Sequence, residues 1–271
     1  MRIALAQIKS GTDPAANLTL VTEFTRRAAD DGARLAVFPE ATMCRFGVPL
    51  KPVAEPLDGP WADGVRRAAA DAGITVVAGM FCPSGDGRVT NTLIAAGPGT
   101  DTHYDKIYLY DAFGFTESRT VAPGHDPVVI TVDDVGVGLT TCYDIRFPEL
   151  YIELARRGAR LFTVSAAWGS GPGKLEQWTL LARARALDTT GIVVAVDQAY
   201  PGAEIAAVGP TGVGGSLVAS PYGEVLASAG ADQELLMCDV DLATIDPARE
   251  TLAVLANRSG FAQADKAESR G

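Results

Sequence analysis

The chain opens on Arg2-Ile3-Ala4-Leu5-Ala6-Gln7, and its apolar run predicts a buried strand over residues 3–8. Asp13-Pro14 then starts a helix that runs to about Asp31, where Gly32 supplies the stop signal. Leu35-Ala36-Val37-Phe38 reads as a short buried strand ending at Pro39-Glu40. Gly59-Pro60 opens a second helix over residues 61–72, closed by Gly73. Residues 74–81 and 89–96 pattern as two strands joined by a Ser84-Gly85-Asp86-Gly87 turn, and a further strand is predicted near residues 103–108.

Residues 111–127 form a long loop with aromatic and charged residues. Strands follow at 128–132 and 135–141. Residues 148–157 make a helix ending at Gly158, with Arg156 and Arg157 suited to its C-terminal dipole. A buried strand at 161–165 leads to a long helix at 174–190, and strands near 192–197, 215–219, 225–228 and 235–240 close the pattern. The absence of a Pro/Gly/Ser linker makes residues 1–257 one domain, and the polar residues 258–271 read as a poorly ordered tail. Arg34-Leu35-Ala36-Val37-Phe38 resembles Arg160-Leu161-Phe162-Thr163-Val164, each lying just after a helix. Two related halves, each a mixed sheet with helices on one side, would pack sheet to sheet as a four-layer α-β-β-α sandwich.

Composition narrows the classes. The 271 residues are 47% hydrophobic, ordinary for a globular chain. A formal net charge of −10, with no run of Lys or Arg longer than a pair, excludes a nucleic-acid partner. No apolar run approaches the ~20 residues of a membrane helix, so no membrane partner is expected. The N-terminus does not read as a signal peptide, which predicts a cytoplasmic, reducing setting without disulfides. The two histidines are too few and too scattered for a His-based zinc site. No dinucleotide fingerprint follows the first strand, and no serine-hydrolase elbow occurs. The segment 169–174 only superficially resembles a phosphate loop, because Trp168 and Leu175 stand at two of its defining positions.

Cysteine is the remaining reactive side chain. Cys142 lies in Thr140-Thr141-Cys142-Tyr143-Asp144-Ile145-Arg146-Phe147-Pro148-Glu149, where a strand runs into a tight turn and then a helix. Such a turn projects a nucleophile from the sheet edge and aims free helical N–H groups at developing charge. Asp144 to Phe147 are placed to cap that helix, and Pro148 fits its first turn. A free cysteine is more often a buried structural residue, the reading given to Cys44, Cys82 and Cys238. At neutral pH only about 3% of an ordinary thiol is ionised, so a reactive one needs a base or a cation. Glu40, just beyond a buried strand, and Lys106, in the aromatic segment His103-Tyr104-Asp105-Lys106-Ile107-Tyr108, are candidates to supply them.

Taken together, these segments resemble the nitrilase superfamily of carbon–nitrogen hydrolases. The likeness runs through "RIALAQ", "VFPEAT", "YDKIYLYD", "TCYDIRFPEL", "LLARARALD" and "GGSLVASPYGEVLA", over nearly the whole chain. The "CYDIRFPE" form and the "FTESRTVAPG" loop look most like the branch of ω-amidases and deaminated-glutathione amidases. The resemblance implies Cys142 as nucleophile, Glu40 as general base, Lys106 as catalytic lysine and Glu117 as the second glutamate of the site. It also implies an oxyanion held by Lys106 and the backbone N–H of Tyr143, no cofactor or metal, and a homodimer or larger homo-oligomer acting on a small-molecule amide.

Arg146 is expected either to pair with a substrate carboxylate or to form a structural salt bridge with Glu149 or another acid. Trp168 either lines the pocket or is a core aromatic. The Gly-rich stretch from Ala167 to Lys174 and the stretch from Pro201 to Gly214 depart from the relatives. The expected activity is hydrolysis of a non-peptide C–N bond, in a substrate that bears a carboxylate, through a thioester. A nitrilase or carbamoyl-amide hydrolase with the same three residues, and a non-catalytic binding member of the fold, are the alternatives. A papain-like hydrolase using His103 or His125 as base is a rival from another class.

Overall fold

The computed structural model describes residues 1–259; most of the tail expected from residue 258 lies outside the described residues. The elements run β1 (Arg2–Gln7), α1 (Pro14–Asp30), β2 (Leu35–Val37), α2 (Pro60–Ala72), β3 (Thr75–Pro83), β4 (Val89–Gly97) and β5 (Thr100–Asp105). Next come β6 (Val121–Ala122), β7 (Val129–Val132), β8 (Val135–Thr141), α3 (Pro148–Arg156), β9 (Leu161–Ala166), α4 (Lys174–Thr189) and β10 (Ile192–Asp197). The chain continues through α5 (Ala203–Ala206), β11 (Leu217–Ala219), β12 (Val225–Ser228), β13 (Glu234–Asp239) and α6 (Ile245–Leu252).

Among the described residues the strands form two mixed sheets. The first is ordered β13-β1-β2-β3-β4-β5, with β6 also on β4; the second is ordered β12-β11-β10-β9-β8-β7. The strands after helices pair in parallel (β1 with β2, β2 with β3, β8 with β9, β9 with β10), and the hairpin strands pair antiparallel. Side chains alternate between the two faces of a strand. In β1, Ile3 and Leu5 face the second sheet, where they join Val37, Val137, Leu161 and Val194 in one buried cluster. Ala4 and Ala6 face the other way, onto Val21 and Phe24 of α1 and Trp61 and Val65 of α2. The second sheet repeats the scheme, with Phe162 and Val164 packed against Leu154 of α3 and Trp178 of α4. The four-layer α-β-β-α sandwich is therefore present.

Several local expectations need correction. The strand predicted at 103–108 ends at Asp105, because the chain beyond it is drawn off the sheet toward β8 by hydrogen bonds described below. A 3-10 turn, Cys142–Arg146, separates Cys142 from α3, so the strand does not pass straight through a tight turn into the helix. The loop 111–127 contains a 3-10 turn, Glu117–Arg119, and the strand β6. Gly215 stands outside β11 with φ +67°, a left-handed conformation incompatible with a strand. The helix α6 had no predicted counterpart.

Candidate active site

Cys142 stands where β8 leaves the sheet, at φ +45°. That left-handed conformation is uncommon for any residue but glycine and stores strain at the turn. The carboxylate of Asp144 holds the turn in place. Its Oδ2 accepts from Thr141 N at 2.8 Å and from the Tyr104 hydroxyl at 2.6 Å, and its Oδ1 accepts from Tyr108 N at 2.9 Å. Asp144 thus caps its own 3-10 turn rather than α3, which begins without a side-chain cap. It also ties the nucleophile turn to the segment that carries Lys106. Burial pushes the Asp144 carboxyl up to about 6, against the pull of these donors.

Lys106 follows β5 immediately. Its N–H donates to Asn91 O at 2.9 Å, and its carbonyl accepts from Gly124 N at 2.8 Å. Gly124 must be glycine, since a Cβ there would lie 2.1 Å from the Asp105 carbonyl oxygen. Glu40 lies between Pro39 and Ala41, the latter at φ +56°, in a segment pressed against β3. A side chain at Gly79 would collide with that segment, its Cβ falling 2.7 Å from Ala41 N.

The three charged groups form a buried cluster. Lys106 Nζ sits 2.9 Å from Glu40 Oε1 and 2.9 Å from Glu117 Oε2. Glu40 is completely buried and Lys106 is 2% exposed. Burying isolated charges is costly, so every remaining lone pair matters. Asn91 Nδ2 reaches both carboxylates, Glu40 at 2.7 Å and Glu117 at 3.2 Å. Ala167 N donates to Glu40 Oε2 at 3.0 Å, and Tyr110 N donates to Glu117 Oε2 at 2.6 Å.

Burial alone would lower the Lys106 ammonium; Glu117 and Glu40 overcome this and hold it well above the ordinary lysine value. The Cys142 thiol moves well above its ordinary value, first through burial and then through the nearby Glu40 carboxylate, with Lys106 opposing. Burial and the Glu40 carboxylate thus both favour the thiol form of the resting sulfur. Such a thiol–carboxylate pair can move a proton from sulfur to carboxylate when an electrophile arrives.

A cavity of about 450 Å³ opens above this cluster. Glu40, Lys106, Glu117, Cys142, Tyr143, Arg146 and Trp168, the residues singled out in the sequence, all line it. Arg146 makes no salt bridge with Glu149. Its Nη2 donates to Gln177 Oε1 at 3.0 Å, and its guanidinium lies 5.2 Å from the Trp168 ring centre. Trp168 lines the cavity and also packs on Trp178 in the core of the second sheet. His103 and His125 are exposed and take no part in lining this cavity.

Three contributors escaped the sequence reading. Asn91 is a lone amide in an apolar strand, and only its complete burial marks it. Asp144 reads in the sequence as a cap of the following helix, whereas it caps its own turn. The third, Asp197, ends β10 and accepts from Trp168 N and Val213 N, each at 2.7 Å, which fixes two of the loops beside the cavity. Burial holds its carboxyl well above the ordinary value. Among the described residues no group of His, Cys, Asp or Glu is arranged to hold a metal ion, and no helix is long and apolar enough to cross a membrane.

The family described as "Carbon-nitrogen hydrolase" matches residues 2–250. A hydrolase of Mycobacterium tuberculosis is 69% identical, with 100% of each chain covered. A deaminated glutathione amidase of Escherichia coli O157:H7 is 34% identical over 89% of this chain and 91% of its own. Among solved structures, a mutant amidase from Nesterenkonia sp. AN1 superposes with a TM-score of 0.79 at 27% identity. It covers 95% of this chain and 94% of its own, and its active-site cysteine carries the acetamide moiety of fluoroacetamide. Fold and relatives together define a thiol-dependent amidohydrolase, acting on C–N bonds other than peptide bonds. The chain belongs to the carbon–nitrogen hydrolase family.

Proposed function

We propose that the protein hydrolyses a small amide bearing a carboxylate, with Cys142 as nucleophile, Glu40 as general base and Lys106 as electrostatic catalyst. The observation that carries this reading is the buried Glu40–Lys106–Glu117 cluster beside Cys142 in one cavity. Glu40 takes the thiol proton as Sγ bonds to the amide carbon, and the carbonyl becomes an oxyanion. The Lys106 ammonium and the Tyr143 backbone N–H stabilise that oxyanion. Glu40 returns the proton to the nitrogen, the C–N bond breaks, and the amine leaves. Glu40 then deprotonates a water that attacks the thioester and frees the carboxylic acid and the thiol. Glu117 keeps Lys106 charged and aimed. A reducing cytoplasmic setting would keep Cys142 a thiol.

Arg146 supplies the carboxylate site in this reading. It lines the cavity, it has no acidic partner among the described residues, and its Nε is buried without a hydrogen bond. A guanidinium fork matches a carboxylate in a way that an ammonium cannot. The test is release of ammonia or amine from a panel of primary amides with and without a carboxylate, deaminated glutathione, a carbamoyl amide and a nitrile. Arg146→Lys is expected to raise KM for carboxylate-bearing amides by about 10-fold or more, and to leave neutral amides unchanged. Equal KM changes for both kinds of amide would remove Arg146 from this role. Preference for the nitrile or the carbamoyl compound would move the reaction to that class.

The reading extends to assembly as a homodimer or larger homo-oligomer. Its support is the outer face of α4, where Leu180 is 64% exposed and Leu187 41%. Sedimentation of a monomer at micromolar concentration would overturn it.

A further inference from the structure

Beyond the catalytic cluster and Arg146, the cavity is lined by the exposed Lys51 and Arg119, by Arg88 paired with Asp86, and by Lys174, which alone of these shares an aromatic ring with Arg146. Lys174 is the first residue of α4 and lines the cavity with Arg146. A lysine is electrostatically misplaced at a helix N-terminus, where the dipole favours negative charge. The preceding Gly173, at φ +69°, offers no side-chain cap. The Lys174 backbone is nevertheless fixed, because its carbonyl accepts from Trp168 Nε1 at 2.9 Å. Its ammonium lies 3.7 Å from the centre of the Phe113 ring, and the Arg146 guanidinium lies 6.0 Å from the same centre.

These charges stand together without an acid. Among the described residues neither Lys174 nor Arg146 has a carboxylate within ion-pair distance. The two acids that line the cavity, Glu40 and Glu117, are already paired with Lys106. Partial burial and then the neighbouring Arg146 lower the Lys174 ammonium from its ordinary value. In a chain of net charge −10, two unneutralised cations around one aromatic ring break the local rule of charge pairing. Such departures concentrate where a ligand restores the balance.

We propose that Lys174 is a specificity-determining residue, which with Arg146 selects substrates carrying two anionic groups, one on each cation. The substrate class is then a dicarboxylate-bearing amide. The inference rests on the reading of Arg146 as a carboxylate site. The segment from Gly169 to Gly173, which holds three glycines, is the part of the chain that delivers Lys174 to the cavity. Gly171 at φ +138° and Gly173 provide the turns that an ordinary residue would resist.

The experiment is calorimetric titration of the linear dicarboxylates succinate, glutarate and adipate, against matched monocarboxylates, into the wild-type protein and three variants. At least one dicarboxylate is expected to bind wild type about 10-fold or more tightly than its monocarboxylate. Lys174→Gln should abolish that margin and leave monocarboxylate affinity within about twofold, while Lys174→Arg should keep it. No margin in wild type, no acid bound at all, or a margin that survives Lys174→Gln overturns the proposal. Arg146→Lys separates the two readings. If it leaves monocarboxylate affinity unchanged, the Arg146 reading fails; if it weakens both acid classes while Lys174→Gln does nothing, only the Lys174 proposal fails.

Discussion

Cys142→Ala is expected to lower turnover by at least about 10⁴-fold while the protein stays folded. Cys142 sits at φ +45°, where alanine experiences the same strain as cysteine, so the turn has no new reason to rearrange. Thr141 N, Tyr104 and Tyr108 continue to hold it through Asp144. Removing one buried sulfur costs about 1 kcal/mol in packing, a small fraction of a domain's stability. The chemical loss is complete, since no other thiol lines the cavity. The check is a product assay at high enzyme concentration alongside thermal unfolding. Activity within 100-fold of wild type, with an unchanged melting temperature, would exclude Cys142 as nucleophile.

Lys106→Ala is expected to act on both activity and stability, and the stability effect should depend on pH in a defined direction. Losing an oxyanion partner costs about 2.7–4 kcal/mol of barrier, so turnover falls by about 100-fold or more. The variant also leaves Glu40 and Glu117 facing one another, linked through Asn91 and without a cation. Breaking a buried pair in this way costs about 3–5 kcal/mol, far more than an exposed ion pair such as Arg26–Asp30. Two carboxylates that share a buried site hold a proton between them more tightly than the unfolded chain does. Protons then bind the folded variant preferentially as pH falls, and stability returns. The gap in melting temperature from wild type should therefore be widest near pH 8 and narrow toward pH 5. The Asp144 carboxyl, pushed up to about 6 against the pull of Lys106, favours the folded state in the same direction, and more so in the variant, where that charge is gone. A gap constant across that range would mean that Lys106 contributes packing alone.

Much of this was legible because the signals are local. The continuous apolar runs at β1, β2, β9 and β10 each fit a strand buried on both faces. Asp13-Pro14 and Gly73 mark helix ends by mechanisms that act within one turn. The order Glu40, Lys106, Cys142 with Glu117 was readable through the family's motifs, and the cavity brings all four together. What escaped was set by contacts remote in sequence. Asn91 serves two carboxylates 51 and 26 residues away, and nothing in its own strand announces that. The strand predicted through Tyr108 stops at Asp105 because an acid 36 residues later accepts from Tyr108 N. The same distant pull turned Asp144 from the expected cap of α3 into a clasp between two segments.

Glu40 follows β2 of the first sheet, yet residues in and just after the strands of the second sheet hold it too. Ala167 N grips its carboxylate across 127 residues of chain, the Gln198 side chain grips its carbonyl across 158, and Ser165 Oγ grips the preceding Phe38 carbonyl across 127. During refolding, either sheet can acquire its strands and helices while the base still lacks these restraints. Contacts this remote are slow to form, since the chain loses loop entropy before they reward it. Competence for the reaction is therefore among the last properties the chain acquires, after its secondary structure is in place. It is also among the first lost when the two layers begin to part.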